Sequence, residues 1–475
     1  MSLTGPTPRN ERLTPTPTLL TPSLPPKTLV GIDLITFTST PNFHGIRDIP
    51  PGWHFLYTGT TEGLSLRLGG WFYVNGQHDT GRTGADEILV WRWDDNLECL
   101  EPLRQDQKSE GMRFRANIGG LYSSGGLFKY RSRVTKGLVQ KGTGSGVSEI
   151  NDEDEEEGRR EWSDLTKWLS ARLLSRITGE PGVDWEQRPR WVVTSGSTAR
   201  QDDDDIPGLE SAPRPDTDDA EAPGAGNTGP KRPEDNEERE FSFLPVDLKM
   251  TWREGAIGRE RTEAARDRSW ALGEIIQRVS SSPSSPGVDS DDIDSGEAQI
   301  LGELQFTFLM GLTIMNYSCL QQWRRLLRLI LTCRRAVAER ASFYTKLLRL
   351  LLLQLKRCDD VEGGLFDQLG SEGGAEGADF LRKPLRAFRT ALNEALEDGE
   401  ASALESVKAA FKELEEWVKE EFDWELDRDA VLRKGMVQLE DGEEVELEML
   451  DHEEEEEYAP VVVDLDDAQM YGELR

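Results

Sequence analysis

Two aspartate triplets come nearest to a catalytic pattern in this chain. Asp79-Thr-Gly81 matches the triplet of aspartic proteases, and Asp294-Ser-Gly296 offers a second carboxylate of the same kind. Such a pair shares one proton and activates a water molecule. Each catalytic triplet, however, needs an apolar strand before it that buries the carboxylate, and neither Gln77-His78 nor Asp292-Ile293 supplies one. We therefore interpret both triplets as turns.

The histidines and one serine do not form another recognisable kind of catalytic or metal site. Ser195, in Thr194-Ser-Gly-Ser197, lacks the strand, sharp turn and helix that present an esterase nucleophile. His54 alternates with core positions of a predicted strand, which favours a hydrogen-bonded or exposed side chain over a metal ligand. The histidines without metal-ligand spacing are His44, His54, His78 and His452. We therefore expect no cofactor, no metal and no enzymatic activity; the alternative is a hydrolase with an unrecognised site in the β-domain.

The composition of the chain excludes further classes of function. The chain has 475 residues, enough for two or three domains, and a net charge of −33. A surface this acidic repels nucleic acid, so we expect no direct nucleic-acid binding. Polar residues interrupt the longest apolar run, at 301–331, so we expect no membrane span. The four cysteines form no CxxC pair and the chain begins with a polar segment, which favours reduced thiols in a nuclear or cytoplasmic protein.

The first part of the chain predicts a β-rich domain over residues 27–200. Residues 1–26 hold seven prolines among threonines and predict a disordered tail. Residues 138–160 predict a flexible acidic insertion, followed by a helix that places Trp162 to Ile177 on one side. The segments that predict an antiparallel, β-sandwich-like domain with aromatic faces are Leu29–Phe37, Trp53–Tyr57, Trp71–Val74 and Ile88–Trp93.

The second part predicts an all-α domain of five to seven helices over residues 241–435. A disordered linker at 201–240 precedes it, a polar insertion at 280–295 interrupts it, and an acidic tail at 436–475 follows. The fold class is thus α+β and multidomain, and we expect the two domains to fold separately because the linker cannot contribute a core. Apart from a helix near residue 261, the predicted helices are the pair within 301–331 (the first buried on most sides and reaching Cys319), 343–355, 378–397 and 401–421.

A basic stretch stands out in this acidic chain. Between Trp323 and Arg357 the only acid is Glu339. Either the bases solvate exposed helix faces, or they form a docking face for an acidic partner or for the chain's own acidic tail. The ten basic residues are Arg324, Arg325, Arg328, Arg334, Arg335, Arg340, Lys346, Arg349, Lys356 and Arg357.

Two polar segments carry candidate sites for regulation and binding. Ser282 and Ser285 each precede a proline near several acids and are phosphorylation candidates. The tail ends in a β-prone segment that suits addition to the exposed sheet edge of a partner protein. Packing of this segment on the chain's own β-domain is the alternative. The residues of the segment are Val461, Val462, Val463, Asp464 and Leu465.

Eight short blocks follow one another in a specific order. They are Gly31-Ile-Asp33, Asn42-Phe-His-Gly-Ile46, Ile49-Pro-Pro-Gly-Trp-His-Phe55, Leu89-Val-Trp-Arg-Trp93, Phe241-Ser-Phe-Leu-Pro245, Leu301-Gly-Glu-Leu-Gln-Phe306, Gln322-Trp-Arg-Arg-Leu-Leu327 and Ala459-Pro-Val-Val-Val-Asp-Leu465. Together they resemble the A-one cistron-splicing factor family, AAR-two, across residues 27–465. The acidic insertions, the 280–295 segment and the glutamate-rich tail depart from the family pattern.

The resemblance implies both an architecture and a function. It implies an N-terminal β-domain joined by a linker to a VHS-like helical domain. It also implies an assembly factor of the U-five small nuclear ribonucleoprotein that binds the largest protein of the particle and meets other particle proteins. Such a factor holds off the spliceosomal helicase and RNA during assembly and is released on phosphorylation. We accordingly expect a nuclear and cytoplasmic protein.

Overall fold

A computed structural model describes most of the chain. It covers residues 16–59, 66–76, 87–96, 98–132, 152–199, 240–280, 293, 295–358, 376–397, 401–426, 433–438 and 444–449. Residues Met1–Trp417 form one compact unit, and Val418–Arg475 form a second. In the part described, no helix is long and apolar enough to span a bilayer.

Two β-sheets form the N-terminal domain. The five-stranded sheet has the order β8-β7-β1-β4-β9 and the six-stranded sheet has the order β10-β11-β6-β5-β2-β3. The strands are β1 (Thr18–Leu20), β2 (Leu29–Ile32), β3 (Ile35–Thr38), β4 (Gly45–Arg47), β5 (Gly52–Gly59), β6 (Leu68–Val74), β7 (Ile88–Asp94), β8 (Cys99–Pro102), β9 (Leu127–Lys129), β10 (Gly182–Val183) and β11 (Pro189–Thr194). This confirms the α+β class, although β1 with β7 and β4 with β9 are parallel pairs within a largely antiparallel arrangement.

The sheets enclose an aromatic core. Alternation along the strands sends one side chain in two into it, among them Leu56, Phe72 and Trp91, which are almost fully buried. Helix α1 (Lys108–Ser124) contributes Ile118 to a second cluster, and helices α2 (Asp152–Leu165) and α3 (Ala171–Thr178) contact the six-stranded sheet, where Trp162 stacks on Trp71.

Two boundaries predicted for this domain are wrong. Within the tail predicted to be disordered, β1 is a buried strand between β7 and β4, because Thr18-Leu-Leu20 is β-prone and the prolines flank it. Within the insertion predicted to be flexible, α2 begins at Asp152. Acidic residues suit a helix N-terminus, and Glu156 pairs with Arg160 one turn later at 2.5 Å.

Eight helices lie in the described part of the C-terminal region, more than the five to seven predicted. They are α4 (Arg259–Arg266), α5 (Ser269–Ser280), α6 (Gly296–Thr313), α7 (Tyr317–Leu331), α8 (Arg335–Glu339), α9 (Ala341–Lys356), α10 (Glu376–Glu397) and α11 (Ala401–Phe422). Helix α6 is buried on all sides from Ala298 to Thr313, as its apolar faces predict. It ends before Met315 and Cys319, because Met315 is left-handed (φ 57°) and the Asn316 side chain caps α7.

The second unit contains a β-hairpin. Strands β12 (Arg433–Gln438) and β13 (Glu444–Met449) pair antiparallel, with Gly435 opposite Leu447. The predicted boundary at 435 therefore falls inside a strand, and the predicted acidic tail begins with this hairpin rather than as an unstructured run. The high acidic content of this segment indicated an unfolded tail, although Val445 and Leu447 alternate with glutamates as in a strand.

Candidate functional site: a buried polar junction

Most of the sites predicted from sequence lie outside the described residues. Their roles remain predictions. These residues are Asp79, Asp294, His78, His452, Ser282, Ser285, Val461, Val462, Val463, Asp464 and Leu465. Ser295, beside Asp294, is the N-cap of α6, and its Oγ accepts a hydrogen bond from the backbone N–H of Ala298 at 3.2 Å. The second protease-like triplet therefore leads into a helix N-terminus.

His54 belongs to a buried hydrogen-bond network in the β-domain. Its Nδ1 lies 2.8 Å from Asp33 Oδ2, and its Nε2 lies 2.8 Å from the carbonyl oxygen of Pro50. Tyr130 donates its hydroxyl to Asp33 Oδ2 at 2.6 Å, and the backbone N–H of Phe55 donates to Asp33 Oδ1 at 3.0 Å. Asp33, His54 and Tyr130 are each at most 3% exposed.

This network cannot supply a catalytic base. Both ring nitrogens of His54 lie within hydrogen-bond distance of protein oxygen atoms, so neither is open to a substrate. Burial first, and then the charge of Asp33, raise the pKa of Tyr130 well above its ordinary value, which keeps its hydroxyl a donor. The hydrogen-bonded role predicted for His54 is confirmed. The network fixes the turn at Asp33, whose backbone is left-handed (φ 56°).

Ser195 is also occupied by structure. Its Oγ accepts a hydrogen bond from the backbone N–H of Arg67 at 2.9 Å, within the turn that follows β11. Asn316 holds the same turn from the helical region, and its Oδ1 caps α7 by accepting from Cys319 N. The Asn316 amide nitrogen donates at 2.8–3.3 Å to the carbonyl oxygens of Thr194, Ser195 and Ser197.

A buried polar contact between the two parts of the chain surrounds Glu303 on α6. This carboxylate is fully buried and accepts from the backbone N–H of Leu244 at 2.9 and 3.2 Å and from Gln322 Nε2 at 2.8 Å. Arg176 of α3 forms an ion pair with it at 2.7 Å. We call this group of four residues the Glu303 junction. It joins the N-terminal domain, the segment after the linker and two C-terminal helices.

Gln305, half a turn from Glu303, makes a second contact of the same kind. Its Oε1 accepts from the backbone N–H of Trp168 at 2.8 Å, and its Nε2 donates to the carbonyl oxygen of Asp164 at 2.7 Å. Gly302 permits this approach, since a Cβ there would lie 2.5 Å from Trp168 O. The two parts therefore pack on each other within one compact unit, and their separate folding stays a prediction.

Two family models match these two parts of the chain. The model of the AAR2 N-terminal domain matches residues 15–179, and that of the AAR2 C-terminal repeat region matches residues 243–427. The chain belongs to the AAR2 family. Protein AAR2 homolog of Homo sapiens is 25% identical over 376 residues, and that of Mus musculus is 24% identical over 373; each alignment covers 77% of this chain and 80% of the relative. AAR2 is the family that the sequence blocks resemble.

The fold explains several of those blocks. Those at 31–33 and 49–55 supply Asp33 and His54 to the buried network. Those at 241–245, 301–306 and 322–327 meet in the Glu303 junction. Sequence reasoning treated the polar residues of α6 only as interruptions of an apolar run. A buried acid and amide in a helix that is apolar on every face is a signal for such a junction.

Gly302→Ala tests the close approach of α6 and the α2–α3 turn. The added methyl meets backbone at Trp168 O, which cannot move aside as a side-chain tip can, so we expect the free energy of unfolding to fall by about 1–3 kcal/mol. Gly273→Ala on α5 is the matched control, because nothing lies within 4 Å of its Cβ; a helical alanine there should stabilise by about 1 kcal/mol. Urea denaturation measures both changes, and a stabilising Gly302→Ala would refute the close approach.

The ten basic residues of 323–357 divide into two groups. Arg324 lies over the ring of Phe380 at 5.0 Å, and four further arginines pair with acids. Those pairs are Arg334 with Glu394 at 3.3 Å, Arg335 with Asp267 at 2.9 Å, Arg340 with Glu297 at 2.6 Å, and Arg357 with Glu161. Arg325 is buried and Lys346 is half-buried, whereas Arg328, Arg349 and Lys356 are exposed. About half of the stretch therefore serves the fold.

Proposed function

We propose that this AAR2-family chain acts in pre-mRNA splicing as a non-catalytic assembly factor of the U-five small nuclear ribonucleoprotein. In this role it binds the largest protein of the particle and blocks premature binding of helicase and RNA. Matches to both AAR2 domain models carry the proposal. We also propose that the protein is present in both the nucleus and the cytoplasm. Microscopy of a fluorescent fusion of the full chain tests this localisation.

The use of polar groups in the structure supports a non-catalytic role. His54 and Ser195, which catalysis would need free, are both engaged in hydrogen bonds that hold turns. The net charge of −33 favours binding to a protein over binding to RNA. In the proposed role the chain keeps RNA off the partner protein by covering the partner's surface, without binding RNA itself. A binding factor needs a stable surface, which the joined domains provide.

Affinity purification of the tagged full-length chain from nuclear extract tests the proposal. We expect the largest protein of the U-five particle among the co-purifying proteins, and recovery of no protein of that particle would contradict the function.

The substitution Asp79→Ala distinguishes the assembly factor from the alternative, a hydrolase with its site in the β-domain. It should complement a splicing defect as well as the unchanged chain, whereas loss of complementation would favour catalysis in the β-domain.

The tail segment 461–465 is proposed as a strand that adds to a sheet edge of the partner. Deleting residues 459–475 should then weaken the complex and leave the melting temperature of the free chain unchanged. A pull-down titration and a thermal melt measure the two quantities. A lower melting temperature would instead indicate that the segment packs on its own chain.

Phosphorylation at Ser282 and Ser285 is proposed to weaken the complex. Each phosphate adds about −1.5 to −2 charges beside acids that are already present. The double variant Ser282→Glu with Ser285→Glu should therefore bind the partner less tightly, while Ser282→Ala with Ser285→Ala should bind like the unchanged chain. Equal affinity of the glutamate variant would remove these two serines from the mechanism.

A further inference from the structure

Helix α9 presents a cationic face. Lys346, Arg349, Leu353 and Lys356 follow one another at steps of three, four and three residues, which places them on one side of the helix. Arg349 and Lys356 are exposed, and Lys346 and Leu353 are half-buried. The ten-residue span from Lys346 to Lys356 measures roughly 15 Å along the helix axis.

A lysine of the other AAR2 domain extends this face. Trp168, between α2 and α3, lies beside α9, and its ring centroid is 5.3 Å from Lys167 Nζ and 5.2 Å from Lys346 Nζ. Lys167 is exposed. We call Lys167, Lys346, Arg349 and Lys356 the α9 stripe. It combines residues from both matched domains, and the domain contact described above sets its geometry.

We propose that the α9 stripe binds a short, extended, acidic segment of a partner protein. Side-chain carboxylates of the segment pair with the cations, and the half-buried Leu353 contacts an apolar side chain between them. The stripe's length fits about five extended residues at 3.3 Å each.

The charge of the whole molecule decides between peptide and nucleic acid. A net charge of −33 repels a polyanion that continues beyond the stripe, whereas a five-residue segment meets only the stripe. A clustered positive face on such an acidic surface therefore selects a compact acidic ligand. This surface does not depend on the identity of the splicing partner.

Fluorescence anisotropy with a fluorescein-labelled hexaglutamate peptide tests the assignment on the full-length chain. Arg349→Glu with Lys356→Glu should weaken binding by about tenfold or more, since each exposed charge pair contributes up to about 1 kcal/mol. The control, Lys108→Glu with Arg113→Glu, makes the same change in net charge at exposed positions on α1 and should alter binding by less than about twofold. Lys167→Glu alone should weaken binding as well.

Three results would overturn the proposal. They are absence of hexaglutamate binding to the unchanged chain, equal weakening in the α1 control, and tighter binding of hexauridine RNA that depends on the same residues. A urea-unfolding midpoint equal to that of the unchanged chain shows that each variant is folded. Because all substituted positions are exposed, we expect the midpoints to agree.

Discussion

Replacing Asp33 by alanine is expected to lower the free energy of unfolding by about 3–5 kcal/mol, because three buried groups lose their hydrogen-bond partner. The substitution leaves His54 Nδ1 buried without its hydrogen-bond partner. It also removes the acceptor for the Tyr130 hydroxyl and for the Phe55 N–H, both of which are buried. An unpaired buried donor costs about 1–3 kcal/mol. Urea denaturation followed by tryptophan fluorescence measures the change.

Two further variants test whether the loss comes from the buried network. Asp33→Asn tolerates the left-handed backbone and keeps one acceptor oxygen, so it should destabilise less than Asp33→Ala. Asp95→Ala, at an exposed position of the same domain, should change stability by less than about 0.5 kcal/mol. A loss below about 1 kcal/mol for Asp33→Ala would show that the network does not hold the domain.

Glu303→Ala is expected to cost about 3–5 kcal/mol, because it removes the shared partner of three buried or half-buried groups. Arg176 loses its counter-charge, and the Leu244 N–H and the Gln322 amide lose an acceptor. Glu303→Gln retains an acceptor oxygen for the two neutral donors and should cost less. The same chemical unfolding measurement ranks the two variants.

Glu274→Ala is the matched control for the junction. Glu274 is an exposed glutamate on α5, and its loss should change stability by less than about 0.5 kcal/mol. If Glu303→Ala were as mild as this control, the buried ion pair would not be what joins the two parts of the chain.

Helical periodicity was the most reliable guide to the fold. The helices at 378–397 and 401–421 lie within one or two residues of α10 and α11, because their apolar residues recur at three and four. Composition was less reliable. Proline content concealed β1, which is a central strand, and acidic content concealed the start of α2. In both cases tertiary contacts favoured an ordered element in a segment whose average composition indicates disorder.

The candidate site could be only half predicted. Local pattern indicated a buried α6, but nothing local shows that Glu303 meets Arg176, which lies far away in sequence. Likewise, alternation placed His54 in a strand without identifying Asp33 as its partner. Such contacts depend on how helices and strands pack on one another. The periodicity of a single sequence indicates local structure and does not show which distant residues meet.

The contacts at the ends of the 200–239 segment bear directly on the central claim, that the two AAR2 domains form one body joined at Glu303. Ala199 and Phe241, on either side of that segment, form a β-bridge, and Phe241 N donates to Thr198 O at 2.8 Å. The covalent connection through 200–239 should therefore be dispensable for association.

Size-exclusion chromatography of a cleaved chain tests this claim most directly. A specific protease site is inserted between residues 200 and 239 and cut to completion under native conditions. We predict that the two fragments elute together at the volume of the intact protein, and that the fragments of Glu303→Ala elute separately while those of Glu274→Ala stay together. Separate elution of the fragments from the otherwise unchanged chain would contradict the account.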